Sequence, residues 1–354
     1  MRAIIVTSTR PYTGKSGIAL ALIGMLADRG LDVGYFKPYG TMPVETDGII
    51  SDEDAVYVNR LLSRPSDIGD VCPVVRSQAF IEDVLAGRAH SGPDDVAAAF
   101  ARCAAGRDAM VVEGPTEPAQ GTATGLTAPA VASLLDAKVL LVDRPKPTDL
   151  PEDALASAAG LGVRLGGVVL NGIDESRLQV VRESVVPFLE RRGVTVFGVL
   201  PHDQTLGSVT VAEIVEALGA TVLSGADRLD AAVETFMVGA MGQEKALRFF
   251  RRKARKAVIT GGDRADVQLA ALETSTTCIV LTGNVPPSPV VLARAEELGV
   301  PVLSVEGDTL GAVERMETLL GRMHVHDAAK AARIREMLER ETAADAMLAA
   351  LGIA

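Results

Sequence analysis

Near the amino terminus a glycine, a lysine and a serine follow one another as Gly14, Lys15 and Ser16. The apolar run Ala3–Thr7 before them predicts a buried strand, and the apolar spacing after them predicts a helix that stops at Gly30. Backbone N–H groups at the start of such a helix can bind phosphate, while the lysine reaches its outer oxygens and the serine ligates Mg²⁺. The predicted contacts of this phosphate-binding loop are Thr9, Thr13, Gly14, Lys15, Ser16 and Gly17.

The loop departs from the usual Gly-x-x-x-x-Gly-Lys-Ser pattern at one position. Thr9 stands where the first glycine is expected. Because threonine lacks the backbone freedom of glycine, Thr9 can form the bend only with a different loop geometry. The alternative interpretation is an ordinary turn that happens to contain Gly-Lys-Ser.

Composition limits the classes of protein to which the chain can belong. Its 354 residues suffice for two domains, and hydrophobic residues make up 48% of them but aromatic residues only 3%, so aliphatic side chains must form the cores. The net charge of −11 argues against nucleic-acid and anionic-membrane partners. The three scattered cysteines form no Cys-x-x-Cys pair, which argues against a disulfide framework. With no signal peptide at the start and no long apolar run, we expect a cytoplasmic protein.

Strand and helix patterns alternate along the first 200 residues and predict a doubly wound α/β domain with a parallel sheet. A second, smaller α/β domain follows, opened by a capping box at Thr210 and Glu213. The predicted domains are residues 1–202, residues 203–322 and a helical tail at 323–354. The predicted strands are Ala3–Thr7, Val33–Lys37, Ala109–Glu113, Val139–Asp143, Gly167–Asn171, Val196–Leu200, Val258–Thr260, Cys278–Leu281 and Pro301–Val305.

Polar residues at the carboxyl ends of the first domain's strands are the further candidates for chemistry, because ligands of open α/β sheets bind at that edge. Glu113 is placed to orient Mg²⁺ or an attacking group, and Lys37 to neutralise transferring charge or hold an anionic substrate. Asp54, in an acidic cluster at the front of an apolar helix, is a candidate metal or substrate ligand, and Asn171 can pair with an adenine edge. Each residue also has a structural alternative: Glu113 as the start of a loop, Lys37 as a surface lysine, Asp54 as a helix cap and Asn171 as a turn residue.

These segments resemble the dethiobiotin-synthetase-like P-loop NTPases. The resemblance covers about the first 200 residues and rests on the loop itself, Tyr35–Pro38, Asp54-Ala55, Val111–Gly114 and Leu170-Asn171. It implies ATP and Mg²⁺ as cofactors, with Lys15, Lys37 and Glu113 as catalytic residues. It also implies Ser16, Asp54 and Glu113 as metal ligands and Asn171 as the adenine contact. Those enzymes carry a glycine-rich segment after Val-Glu-Gly, whereas this chain has Pro115, which removes a backbone donor and stiffens the loop.

In the second domain, three strand ends carry glycines and polar side chains that would meet at one edge of a parallel sheet. The turn Gly261-Gly262-Asp263-Arg264 places Asp263 as a helix N-cap. With Asp308 and Thr309 it forms a candidate site for a small anionic ligand, although the glycines can equally serve only as turns. The turn resembles the signature of the DRTGG domain. The two resemblances together are those of the N-terminal region of long phosphotransacetylases.

Two functional hypotheses follow from these resemblances. The first is a regulatory, ligand-sensing protein that binds Mg-ATP, hydrolyses it slowly at most and is a homo-oligomer. The second is an ATP-dependent ligase of the dethiobiotin synthetase or cobyrinate amidase type that activates a small carboxylate or carbamate. A scaffold with a vestigial loop is the third alternative. Because the acetyl-transferring domain does not follow in this sequence, we expect no phosphate acetyltransferase activity. His324 and His326 make a weak candidate metal pair.

Overall fold

The computed structural model describes residues 1–88, 91–146, 149–321 and 328–353. It divides into two compact units, the first formed by residues 1–203 together with the described residues from 328 onward, the second by residues 204–321. The chain passes from one unit to the other between Asp203 and Gln204. The carboxyl-terminal segment, which the sequence predicts as a separate tail, therefore belongs to the first unit. His324 and His326 lie outside the described residues.

The first unit is built on a six-stranded sheet in the order β2-β5-β1-β6-β7-β8, with every neighbouring pair parallel. A small antiparallel hairpin, β3 with β4, stands outside it. The strands are β1 (Arg2–Ser8), β2 (Val33–Phe36), β3 (Pro43–Thr46), β4 (Ile49–Asp52), β5 (Ala109–Glu113), β6 (Lys138–Asp143), β7 (Leu165–Ile173) and β8 (Val196–Pro201). The doubly wound parallel sheet that the sequence predicts is confirmed.

Helices connect these strands, because parallel neighbours require crossover connections. They are α1 (Lys15–Asp28), α2 (Glu53–Leu61), α3 (Ile68–Val71), α4 (Gln78–Leu85), α5 (Pro93–Ala104), α6 (Ala128–Leu134), α7 (Glu152–Leu161), α8 (Leu178–Val180) and α9 (Val186–Glu190), the last two joined by a π turn at Val181–Val185. Nearly every residue of β1 and β5 is buried, which explains why their sequences read as unbroken apolar runs.

The second unit contains a five-stranded sheet in the order β10-β15-β14-β13-β12, parallel except for β10. Its strands are β9 (Val209–Thr210), β10 (Thr221–Ser224), β11 (Ala232–Val233), β12 (Thr235–Val238), β13 (Lys256–Gly261), β14 (Thr276–Thr282) and β15 (Val302–Ser304); β9 and β11 form a separate pair. Its helices are α10 (Val211–Leu218), α11 (Gln243–Phe250), α12 (Ala265–Leu272), α13 (Pro289–Leu298) and α14 (Thr309–Gly321). Two apolar cores cover its two faces.

Two further helices, α15 (Ala328–Glu341) and α16 (Ala344–Ala350), complete the first unit. Helix α15 packs against α1, and both helices bury apolar side chains in the unit. The three cysteines are buried and unpaired. Within the described part of the chain, no helix is both long and apolar enough to cross a membrane.

One expectation about the second unit is wrong. Asp263 does not cap α12; the cap position is Arg264, whose side chain makes no capping bond. The turn after β13 is tight, with Arg264 N donating to Gly261 O at 3.1 Å, and this moves the helix start one residue further on. The capping box at Thr210 and Glu213 is confirmed, with bonds in both directions.

Candidate functional site

The predicted phosphate-binding loop lies between β1 and the first turn of α1, at the carboxyl edge of the central strand. Gly14 immediately precedes the helix with φ = 86°, a left-handed conformation that favours glycine. Tyr12 also has a positive φ, of 62°. The Asn171 side-chain amide donates to Thr13 O at 2.7 Å, so the end of β7 holds the loop backbone in place. This bond gives Asn171 a structural role in the loop that differs from the turn role suggested by the sequence; an adenine contact stays a prediction.

Thr9 has a defined role where the usual pattern has glycine. Its hydroxyl donates to Asp143 Oδ1 at 2.5 Å, and its N–H donates to Val142 O at 3.3 Å. The two bonds fasten the start of the loop to the end of β6. Burial raises the pKa of Asp143, and the Thr9 hydroxyl partly offsets that effect. Sequence reasoning did not single out Asp143, although its place as the last residue of an apolar strand is the same signal that identified Glu113.

Lys15 and Ser16 meet Glu113 at the start of α1. Lys15 Nζ lies 2.6 Å from Glu113 Oε1, the Ser16 hydroxyl donates to the same oxygen at 3.0 Å, and the Tyr35 hydroxyl donates to Oε2 at 3.0 Å. Burial raises the pKa of Glu113, but Lys15 and Lys37 outweigh burial and the pKa lies below its ordinary value. Burial lowers the pKa of Lys15, and the Glu113 carboxylate offsets only part of this. The structure thus brings Glu113, which the sequence selected as a strand-end carboxylate, to the Lys15-Ser16 pair of the loop.

Lys37 is enclosed by carboxylates. Its ammonium nitrogen lies 2.6 Å from Asp52 Oδ1, 3.3 Å from Asp54 Oδ2 and 3.3 Å from Glu113 Oε1. Burial acts to lower the pKa of Lys37, but the three carboxylates outweigh it and the pKa lies well above its ordinary value. Only 6% of the Lys37 side chain is exposed, so this lysine acts as the counter-charge of an acidic cluster.

Of the two aspartates that contact Lys37, Asp52 is the more deeply buried. Its carboxylate accepts bonds from the backbone N–H groups of Asp54 and Ala55 at the start of α2. It also accepts from the N–H groups of Thr41 and Met42. The sequence favours Asp54 as the ligand of this cluster, yet Asp52 is the residue that organises the helix start and the loop before β3. Sequence spacing alone gives no sign of this burial.

The loop residues fit a phosphate group. Among the described residues of the loop, Nε of Arg10 and Oγ1 of Thr13 are buried polar atoms without a hydrogen-bond partner. Both atoms are donors, which suits an anion. No group of three or more His, Cys, Asp or Glu side chains in the described part of the chain is arranged to hold a metal. Mg²⁺ commonly binds one or two protein oxygens together with phosphates and waters, so Ser16 and Glu113 fit a nucleotide-bound ion.

The predicted edge of the second unit is also assembled. The Thr282 and Thr309 hydroxyls lie 2.8 Å apart, and Gly262 N donates to Thr282 O at 3.2 Å. A Cβ on Gly262 would stand 1.8 Å from Val285 O, so this glycine is required by a close backbone approach. The Arg264 guanidinium is paired with Asp266 at 3.1 Å. Gly262 therefore serves the backbone geometry of this turn, and a ligand at the edge stays a prediction.

Comparison with known proteins relates each of the two units to a known family. A family model described as an AAA domain matches residues 2–210, which is more than half of the chain. The chain belongs to this AAA-domain family. A DRTGG-domain model matches residues 213–319, directly after the AAA domain. The predicted resemblance, a P-loop domain followed by a DRTGG domain, is confirmed.

The relatives match either nearly the whole chain or only part of it. The phosphate acetyltransferase of Pseudomonas aeruginosa is 24% identical over 363 residues, covering 96% of this chain and 50% of the relative. The ATP-dependent dethiobiotin synthetase BioD of Bacillus thuringiensis is 27% identical over 226 residues, covering 61% of this chain and 89% of that protein. The chain thus spans about half the length of the phosphate acetyltransferases that it matches, whereas its AAA domain accounts for most of the synthetase.

Among solved structures, the CBS and DRTGG domains of the regulatory region of Clostridium perfringens pyrophosphatase, in complex with the activator diadenosine tetraphosphate, match 35% of this chain and 50% of that one. The sequence identity is 20% and the TM-score 0.30.

Proposed function

We propose that the AAA domain binds Mg-ATP and that the chain is a regulatory, ligand-sensing protein which hydrolyses ATP slowly at most. One observation carries the proposal: Lys15, Ser16 and Glu113 converge at a helix amino terminus, behind a loop with two partnerless buried donors. A helix amino terminus adds partial positive charge and free N–H groups to such a site.

Each residue has a distinct task in this proposal. The Lys15 ammonium would exchange part of its contact with Glu113 for the outer phosphates of the nucleotide. The Ser16 hydroxyl and the Glu113 carboxylate would hold Mg²⁺, which neutralises phosphate charge when it is bound. The Arg10 and Thr13 donors would bind phosphate oxygens. Asn171 and the Thr9–Asp143 pair would keep the loop backbone in position.

Thermal unfolding tests the proposal. A ligand that binds only the folded state stabilises it by about 2.7 kcal/mol at one hundred times its Kd. We therefore expect Mg-ATP to raise the melting temperature of the wild type and to have little effect on Lys15→Ala. Lys138→Ala, which removes an exposed lysine at the other end of β6, is the matched control and should respond as the wild type does. Absence of a shift in the wild type would leave the vestigial-scaffold alternative.

The ligase is the second candidate, favoured by the match to dethiobiotin synthetase along most of that enzyme. In that reading Lys37 holds the substrate anion. However, three carboxylates surround Lys37, and the Thr7 and Ser8 hydroxyls fasten the carbonyls of Pro115 and Thr116 to β1. Both features favour binding over turnover. Release of ADP that depends on one member of a panel of carboxylic and diamino acids would establish the ligase instead.

The DRTGG domain would supply the sensing function, through a small anionic ligand or through contacts with a second copy of the chain. The earlier candidates for this ligand are Gly261, Gly262, Asp263, Arg264, Asp308 and Thr309. Sedimentation of the protein with and without Mg-ATP would measure the proposed homo-oligomer directly.

A further inference from the structure

The most basic segment of the chain lies in the second unit, at the end of α11 and in the loop before β13. Residues 245–256 contain seven Lys or Arg and no Asp or Glu, in a chain whose net charge is −11. Residues 251–255 of this segment are all exposed. A local reversal of charge of this size attracts anions to one face of an otherwise acidic protein.

Part of this segment borders a cleft of 640 Å³ at the amino ends of β13 and β14. The size is that of an ordinary small-molecule site. The lining residues are Arg251, Lys253, Ala254, Leu272, Glu273, Thr274, Ser275 and Arg294. Three different chain segments thus contribute to one concave surface, and three of the eight lining residues are cationic.

The cations of the cleft are poorly neutralised. Arg294 is paired with Glu297 at 2.6 Å, whereas Arg251 and Lys253 form no ion pair within the described part of the chain. Lys253 makes only a long bond of 3.4 Å to the Thr235 hydroxyl. Glu273 is the single carboxylate on the lining. An anion in the cleft would therefore meet a net positive charge.

A buried ammonium group lies beneath the same surface. Lys256 is fully buried, and its Nζ donates to Thr274 Oγ1 at 3.0 Å and to Ser275 O at 3.1 Å, two residues of the lining. No carboxylate pairs with Lys256 among the residues that the structure describes, and burial lowers its pKa to about 8. A buried charge without a counter-charge is costly, and an anion on the other side of Thr274 and Ser275 would reduce that cost.

The opposite edge of the same sheet, where the sequence predicts an anionic ligand, is less suited to one than this cleft. The loops there expose Asp263, Glu306 and Asp308, and the Arg264 guanidinium is already paired with Asp266. Ligands usually bind at the carboxyl edge of such sheets. In this unit, electrostatics favours the amino edge.

We propose that the cleft formed by Arg251, Lys253, Thr274, Ser275 and Arg294 binds a small oligophosphate, a linear phosphate chain or a phosphorylated small molecule. This site is distinct from the loop at Lys15, so the proposed function of the first unit does not depend on it. A small ligand is favoured over a nucleic acid because the cleft is concave and the whole chain repels polyanions beyond the local patch.

Calorimetric titration with inorganic tripolyphosphate tests the site. The Lys15→Ala variant of the whole 354-residue chain is used, so that the phosphate-binding loop does not compete. We expect one binding event, weakened about tenfold or more by the double change Arg251→Ser/Lys253→Ser, because charge-assisted bonds are lost. The double change Arg248→Ser/Arg252→Ser removes the same charge from the same segment outside the cleft and should weaken binding by about threefold at most.

Three results would overturn the proposal: no binding of tripolyphosphate, equal weakening by both double changes, or binding of a single-stranded oligonucleotide alone. Repeating the double changes in the wild-type background guards against a folding defect of Lys15→Ala. Failure of this site is distinguishable from failure of the proposed function, because the melting shift with Mg-ATP depends on Lys15 and not on Arg251 or Lys253.

Discussion

At the residue scale, Glu113 and the phosphates of a bound nucleotide would compete for the Lys15 ammonium group. Its ammonium is bonded to Glu113 in a buried setting, and a phosphate must share it. Glu113 therefore has two opposite effects on nucleotide binding: it retains Lys15, and it supplies an oxygen for Mg²⁺. The network of two lysines and three carboxylates carries a net charge of −1, which suits a divalent cation better than a bare polyphosphate.

Glu113→Gln should separate these two effects. Without the carboxylate, Lys15 is released and repulsion of phosphate falls, so ATP in the presence of EDTA should bind more tightly than to the wild type. The gain in affinity on adding Mg²⁺ should shrink about tenfold, since a charged ligand oxygen is lost. Titration with ATP in EDTA and in Mg²⁺ measures both quantities. Glu117→Gln, at an exposed position in the following loop, should change neither.

Lys37 and Asp52 illustrate what the sequence reveals at this scale. Lys37 and Glu113 could be selected because they end apolar strands, and strand ends meet at one edge. The burial of Asp52 could not be predicted, because it depends on N–H groups of Thr41 and Met42 that reach it through the tertiary fold. The contact between Lys37 and Asp54 could not be predicted either, because the packing of α2 sets the distance between them.

Lys37→Met should destabilise the first unit by about 3–5 kcal/mol, because it leaves buried carboxylates without a counter-charge. The pKa of Lys37 is raised in the folded protein, so its contribution is fully present at pH 7 and is lost only as pH rises above 10.5 through the folded value. Urea unfolding at pH 7 measures the loss. Lys37→Met combined with Asp52→Asn should recover part of it; a double variant as unstable as the sum of the single changes would contradict this account.

At the scale of elements, most of the predicted strands match strands of the structure. Parallel strands that are buried on both faces appear in the sequence as continuous apolar runs, which can be recognised without a structure. The sequence predicts a helix directly after the turn at Gly261–Arg264, and α12 lies there. Its cap was predicted wrongly, because the turn at Gly261 and Gly262 is set by contacts with the neighbouring loop. The close approach of Gly262 to Val285 O is such a contact, and one sequence alone gives no access to it.

Gly262→Ala should therefore destabilise the second unit by about 3 kcal/mol or more, since its Cβ would overlap a backbone carbonyl that has little freedom to shift. Gly307→Ala in the same unit is the matched control, because its Cβ would meet only the end of the Arg315 side chain at 3.7 Å. Chemical unfolding followed by hydrogen exchange of β13 and β14 measures the effect. Equal stability of the two variants would show that the backbone can yield at Gly262.

At the scale of the whole molecule, the chain returns to its first unit after forming the second. The sequence indicates helices at the carboxyl end but not where they pack, because the apolar face of a helix does not reveal which surface it contacts. In the structure they cover α1 and the sheet, and their buried apolar side chains are Ile334, Met337, Leu338, Met347, Leu348 and Leu351.

Truncation of the chain after residue 321 should unfold the first unit, whereas the second unit should remain folded. Each buried aliphatic side chain contributes about 1.5–3 kcal/mol, so the loss of the whole set is as large as the total stability of an ordinary domain. Hydrogen exchange should show protection lost in β1 and β6 and retained in β13 and β14. Retained protection throughout would mean that the carboxyl-terminal helices are dispensable.

The central claim, that the loop at Lys15 binds a magnesium nucleotide, is tested most directly by the Kd for Mg-ATP from isothermal titration calorimetry. The account predicts one site per chain in the wild type, with affinity reduced about thirtyfold or more in Lys15→Ala because a charge-assisted phosphate contact is lost. Heat of binding that is absent in the wild type, or undiminished in Lys15→Ala, would contradict it.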